Sequence, residues 1–316
     1  MHPYLARPAR AGYHAPVPRI RAVVTDLDNT LYPWVDYIVP SLEAMVDSLV
    51  ATTGLPRVRI VQSLKEVYTR YESNEYPFAI QESDIFKPYE RDFDSFNRLV
   101  VDPARRAFKA SRDRWLKPYP GVKATLDWIK EQGLTLVALS DAPRNAAELR
   151  LKFMQLDGHF DALYTLPGYE LPANVDPAIR RREEAGHYRS RTAVRELPRE
   201  AEKPSPAGLA RILEDFDLRG AEVIYVGDNV KKDMPVAKAC GAVGVWAEYG
   251  TYISLEYRER LAVISARTVT ARHVADEGHE RWPLAISSFT QVKEIVQGAR
   301  WTSPAAARSG KGKGTR

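Results

Sequence analysis

Three short apolar runs, each rich in β-branched residues and each ending on a polar side chain, limit the fold of this chain more than any other feature. Arg21-Ala22-Val23-Val24-Thr25 runs into Asp26, Leu134 to Leu139 runs into Ser140-Asp141, and Glu222 to Val226 runs into Gly227-Asp228-Asn229. Short continuous apolar runs bury both faces, as the strands of a parallel sheet do. Shorter runs at Leu163-Tyr164-Thr165 and Val243 to Trp246 read as further strands. Helical periodicity fills the gaps. Gly121 to Glu131 turns Val122, Leu126 and Ile129 to one side and closes at Gly133. Arg144 to Met154, a segment through Ile212 and Leu213, Val236 to Cys240 and Ser287 to Val296 read as helices as well. Strands alternating with helices predict an α/β fold with a doubly wound, Rossmann-like parallel sheet, which binds ligands at the carboxyl ends of its strands. Asp26, Ser140 and Asp228 would then meet in one crevice.

Residues 33–117 break the alternation. Asp36 to Thr53 carries a helical stripe through Ile38, Leu42, Met45, Val46, Leu49 and Val50. Gly54-Leu55-Pro56 ends it, and Val58 to Tyr71 repeats the pattern through Val61, Leu64, Val67 and Tyr68. Phe93 to Trp115 predicts one more helix, interrupted near Asp102-Pro103. With no convincing strand before Lys117, this block reads as a helical module inserted into the α/β core, which takes residues 19–32 and 118–298. Residues 172–200, first rich in Pro and then crowded with Arg and Glu, read as an irregular insertion, and Thr251 to Pro283 has no legible pattern.

Charge is unevenly spread. The chain of 316 residues has a net charge of +5, yet Met1 to Arg21 holds four Arg, and Gln297 to Arg316 holds five Lys or Arg, without one acid between them. The span between these arms is therefore net acidic, which argues against a basic nucleic-acid-binding body. Residues 1–18 and 299–316 read as disordered basic tails, limited to weak, salt-sensitive contact with polyanions such as nucleic acid. No apolar run is long enough to cross a bilayer. The single cysteine, Cys240, excludes an internal disulfide and sits on an apolar helix face. A cytoplasmic location is the expectation, and no pattern specifies an oligomeric state. The six histidines form no metal-spaced pair, which argues against zinc.

Asp26-Leu27-Asp28-Asn29-Thr30-Leu31 at the end of the first strand resembles the first motif of the haloacid dehalogenase superfamily. Ser140 matches the second motif, Lys203 before Pro204 the third, and Gly227-Asp228-Asn229 with Asp233 the fourth. Each alone has a plain structural reading: Asp and Asn in turns, Ser as a helix cap, Lys on the surface. Their joint occurrence, in the family's order, over roughly residues 20–298, carries the resemblance. It implies a phosphatase in which Asp26 is the nucleophile and forms an aspartyl-phosphate, splitting one hard step into two. It implies that Asp28 protonates the leaving oxygen and then activates water. Mg²⁺ would be held by Asp26, Asp228 and the backbone carbonyl of Asp28. Ser140 and Thr30 would contact the phosphoryl group, Lys203 would offset its charge, and Asn29 and Asp233 would support the metal shell.

By the same resemblance the helical block is a cap that closes over the strand ends and favours small phosphorylated metabolites. Tyr71, Asn74, Tyr76, Phe78 and Lys87 are its candidates to face the site. Two departures stand out. Asp141 occupies a position where many members of the family carry Asn or a small residue, and a helix-capping role is expected for it. The stretch from Ser140 to Lys203 is also long, and its excess, with Arg180-Arg181-Arg182, His187, Tyr188, Arg189 and Arg191, is either a cationic flap or a solvated loop. Other readings are a phosphomutase, a phosphonate hydrolase, which needs a Schiff-base lysine in its cap that the sequence does not place at Lys65 or Lys87, or a binding protein that kept the fold. Dehalogenases do without a carboxylate at the position of Asp28.

Overall fold

A computed structural model describes residues 19–89, 92–169, 190–265, 282 and 284–298. Both predicted basic tails and Arg180, Arg181, Arg182, His187, Tyr188 and Arg189 lie outside the described residues. Seven strands form one parallel sheet: β1 (Ala22–Thr25), β2 (Thr135–Pro143), β3 (Ala162–Leu166), β4 (Ala193–Glu196), β5 (Val223–Gly227), β6 (Val243–Ala247) and β7 (Ala285–Ile286). Their order is β4-β3-β2-β1-β5-β6-β7. The chain winds outward from β1 in one direction through β2 and in the other from β5, so the connections part beside β1 and leave a crevice at its carboxyl end.

The sheet is covered on both faces, which is why its strands are apolar at successive positions. Val23, Leu136, Ala138, Ile224 and Val226 face one core, with α6 (Val122–Glu131) and α7 (Arg144–Phe153) over it. Ala22, Val24, Val137, Leu139 and Tyr225 face the other, beneath α8 (Ala207–Asp215) and α9 (Asp233–Ala239).

The block between β1 and α6 is helical: α1 (Trp34–Thr53), α2 (Arg57–Arg70), the single turns α3 (Ala79–Glu82) and α4 (Phe93–Phe96), and α5 (Asp102–Trp115). Gly54, at φ 69°, closes α1 in the left-handed conformation that glycine takes without a steric penalty. The expected interruption at Asp102-Pro103 is instead a π-helical stretch, Asn97–Val101, that runs straight into α5. Pro103 has no N–H to offer the carbonyls of the preceding turn, and the wider π-helical stretch before it is where the helix absorbs that missing bond.

Two other expectations change. The stretch expected to be irregular over residues 172–200 contains β4, whose residues pair with Ala162 to Thr165 of β3. The unreadable stretch after Thr251 contains α10 (Leu255–Ile264), which lies against α1 and α2, joined by an Arg260–Glu43 ion pair and by Lys65 Nζ donating 2.9 Å to the Ala262 carbonyl. The predicted final helix is a 3₁₀ turn, Phe289–Gln291, followed by α11 (Val292–Val296). Among the described residues no helix is long and apolar enough to cross a membrane.

Candidate active site

Asp26 follows β1, Ser140 lies in β2 and Asp228 follows β5, three adjacent strands, so their side chains meet at the carboxyl edge of the sheet. Asp26 is tied to the neighbouring strand by its N–H, which donates 2.8 Å to the Val226 carbonyl. Its Oδ1 accepts from Lys203 Nζ at 2.6 Å, and its Oδ2 takes a long 3.4 Å contact from the Thr30 hydroxyl. Thr30, expected to touch the phosphoryl group, is thus set against the Asp26 carboxylate.

Lys203 is 5 % exposed and also donates to Asp233 Oδ1 at 2.8 Å. Asp233 is fully engaged, since its Oδ1 accepts from Tyr225 (2.9 Å) and its Oδ2 from the Asn229 N–H (2.9 Å). Burial alone would lower the Lys203 ammonium, but Asp233 and Asp26 overcome it and hold it well above its ordinary range. Asp26 is pushed up to about 7 by burial, opposed by Lys203 and reinforced by Asp233 and Asp28. Burial, then Asp233 and Asp26, push Asp228 well up in the same direction.

Oxygens of Asp26, Asp228 and Asp233 lie within 4.8 Å of one another, all buried, with one lysine among them. Among the described residues none donates a hydrogen bond to the Asp228 carboxylate; its backbone carbonyl is held by Trp246 Nε1 at 2.9 Å. Such a crowded oxygen-only set, with an excess of negative charge, fits a hard divalent cation. The carboxylate cluster contains Asp233 and omits the Asp28 side chain.

The structure redirects several residues. The Asn29 side-chain oxygen accepts from the Trp34 N–H at 3.0 Å, so it shapes its own loop, where Asn29 itself has φ 57°. Ser140 Oγ accepts from the Ala142 N–H at 3.1 Å, and among the described residues its hydroxyl donates to none. Asp141 is not a helix cap. α7 starts after Pro143 with no side-chain cap, and Asp141 instead accepts from the Lys203 N–H and from Lys232 Nζ, both at 3.0 Å. It fastens the end of β2 to the loop that presents Lys203.

Asp28 is not one of the clustered carboxylates and has partners of its own. Arg150 of α7 donates to both of its oxygens, at 2.6 and 2.9 Å, and the Tyr32 hydroxyl donates to Oδ1. The sequence holds a signal for this: Arg150 falls on the buried stripe of α7 with Ala146, Ala147 and Leu151, where a lone arginine needs partners. Gly250 was missed as well. A Cβ there would lie 1.8 Å from the Asn29 carbonyl oxygen and 3.0 Å from Asp228 Cβ. Gly250→Ala is therefore expected to force apart the loops carrying Asp28 and Asp228, with a loss of about 1–3 kcal/mol of stability; thermal denaturation and turnover of the variant check it.

A cavity of about 290 Å³ opens beside Asp28 and Asn29. Tyr71 and Asn74 line it, as does Arg199 from the connection between β4 and α8. Of the other candidates from the helical block, Tyr76 lines a separate cavity of about 200 Å³, Phe78 is buried, and Lys87 pairs with Asp84 at 2.6 Å on the surface. Arg191 is turned to Asp157, donating 2.7 Å to its carbonyl.

Fold and site together define a doubly wound α/β protein with a carboxylate–lysine centre at the carboxyl edge of its sheet. Residues 20–241 match the model of the haloacid dehalogenase-like hydrolases, and the chain belongs to that family. It is 24% identical over 250 residues to the glyceraldehyde 3-phosphate phosphatase of Methanopyrus kandleri, covering 76% of this chain and 88% of that one. It is 25% identical over 233 residues to the phosphoglycolate phosphatase of Pseudomonas fluorescens, covering 73% and 70%. The crystal structure of a 2-haloacid dehalogenase from Pseudomonas syringae superposes with a TM-score of 0.50 at 17% identity, covering 89% of this chain and all of that one, a likeness of fold.

Proposed function

We propose that this protein is a divalent-metal-dependent phosphomonoesterase, with Mg²⁺ as the natural ion, acting on a small phosphorylated metabolite through an aspartyl-phosphate on Asp26. The observation that carries the reading is the buried Asp26 carboxylate, oriented by Lys203 at 2.6 Å, with a second carboxylate, Asp28, on the same loop and lining a cavity of metabolite size. Relatives named for phosphoglycolate and glyceraldehyde 3-phosphate agree with a small substrate.

An Asp26 oxygen attacks phosphorus, the bond to the ester oxygen breaks, and the departing oxygen takes a proton from Asp28, which carries that proton in the substrate complex and then keeps only one of its oxygens on Arg150. Asp28, now ionised, takes a proton from water as that water attacks the phosphorus of the aspartyl-phosphate, and the bond to Asp26 breaks to release phosphate. Ser140 offers its hydroxyl proton to a phosphoryl oxygen, and Lys203 keeps the nucleophile oriented and offsets the added charge. Asp26 and Asp228, with the Asp28 backbone carbonyl, would hold the cation, which screens repulsion between anionic nucleophile and anionic substrate. Asp233 holds Lys203 and the Asn229 loop in place.

A Schiff-base lysine finds no support. Among the described residues that line the cavity none is lysine, Lys65 donates to Ala262 and Lys87 pairs with Asp84. Phosphate release from p-nitrophenyl phosphate and a panel of phosphorylated metabolites, with and without Mg²⁺, tests the proposal. Metal-dependent release is expected, and the absence of release from every ester would overturn it.

A further inference from the structure

Arg150 is 4 % exposed and sits at a junction of three elements. Besides its two bonds to Asp28 it pairs with Glu75, in the segment between α2 and α3, and donates to the Tyr32 hydroxyl at 3.1 Å. Glu75 is fixed in turn by the Tyr37 hydroxyl (2.6 Å) and Trp34 Nε1 (3.3 Å), both on α1. A guanidinium presents its donors in a rigid planar fork, so it can set the direction of two carboxylates at once. Burying this cation is tolerable only with such partners, and one of the two, Asp28, lines the 290 Å³ cavity.

We propose that Arg150 is a positioning residue for Asp28, and that Glu75 is a positioning residue for Arg150, so that the seating of the helical block on the sheet sets the aim of the proton-transferring carboxylate. The inference rests on the phosphomonoesterase reading, in which Asp28 protonates the leaving oxygen. Glu75 and Arg150 line both the 290 Å³ cavity and the 200 Å³ one, as do Asn74 and Tyr169. The pair therefore borders the same cavity as Asp28, where a leaving group would lie.

Leaving-group dependence separates this role from general structural support. An alkoxide leaves only with a proton, whereas p-nitrophenolate is a stable anion at neutral pH and needs none. The value of kcat/KM covers the steps through leaving-group departure, so the later use of Asp28 as a base does not enter it. Arg150→Lys and Glu75→Gln are compared with wild type on p-nitrophenyl phosphate and glycerol 2-phosphate. Lysine keeps the charge but cannot hold two carboxylates in one plane, and glutamine keeps the shape of Glu75 and removes its charge. For each variant kcat/KM on the alkyl ester is expected to fall at least about tenfold more than on the aryl ester, within the range of a general-acid contribution.

An equal fall on both esters means that the junction merely supports the fold, and overturns the proposal. No fall, or a rise, means that Arg150 is idle or restrains Asp28, and overturns it too. Should Arg150→Lys fail to fold, the isosteric Glu75→Gln decides alone. Wild type inactive on every ester sinks the phosphomonoesterase reading itself, an outcome distinct from an unchanged ester ratio in an active enzyme.

Discussion

Replacing Asp26 by Asn is expected to lower kcat/KM by at least about three orders of magnitude while leaving the metal-free protein no less stable than wild type. The loss follows because an amide oxygen does not form the acyl phosphate on which both half-reactions depend. The unchanged stability follows from the charge arrangement. Asp26 shares a buried crevice with Asp228 and Asp233, and burial has already pushed its carboxyl up to about 7. An uncharged side chain of the same shape relieves that crowding, and Lys203 keeps Asp233 at 2.8 Å. Most substitutions of buried charged residues destabilise, so a dead enzyme with an undiminished melting temperature would mark Asp26 as held there for chemistry. Acid quenching during turnover should trap hydroxylamine-labile phosphate on wild type and none on Asp26→Asn. Retained turnover, or equal labelling of both proteins, would remove Asp26 from the role of nucleophile.

What could be read in advance was local and periodic. Val23 and Val24 face opposite cores, so β1 had to be apolar at consecutive positions, and such a run is visible in any window. The stripe of α1 is equally plain because one face meets a core and the other meets water. β4 hid because it is an edge strand: Ala193, Arg195 and Glu196 are exposed, and pairing with β3 rather than burial makes it a strand. β7 is two residues long, and α10 has apolar side chains on no single face, its place being fixed by ion pairs and backbone contacts to α1 and α2. The site divides along the same line. Asp26, Ser140, Lys203, Asp228 and Asp233 each sit at or just beyond the end of a readable element. The Asp28–Arg150–Glu75 junction joins residues 122 and 75 positions apart, and no local pattern encodes which buried arginine meets which carboxylate. Asp141 shows a related limit. Its position before a helix suggested a cap, but the residue it answers to, Lys203, is 62 positions away.

Removing divalent metal should abolish turnover and also reverse a pH effect on stability. The Asp26 carboxyl rises from 3.8 to about 7 on folding, and Asp228 moves the same way. A carboxyl raised in the folded state binds more protons there than in the unfolded chain. Its contribution to stability is thus fully present below about pH 4 and is lost as pH rises through about 7. Metal-free protein should therefore melt at progressively lower temperature across that window. A cation bound among Asp26 and Asp228 takes the place of those protons, so its effect should be small at pH 5 and largest at pH 8. At a free Mg²⁺ concentration of about 100 times Kd the stabilisation is about 2.7 kcal/mol, or roughly 5–10 °C in Tm for a chain of this size. Thermal melts at both pH values, with EDTA and with excess Mg²⁺, measure this alongside activity. In Asp26→Asn the pH slope of the metal-free protein should flatten and the Mg²⁺ shift should shrink, because one titrating ligand is gone. A Mg²⁺ shift of equal size at pH 5 and pH 8, or one undiminished in Asp26→Asn, would place the cation away from these carboxylates.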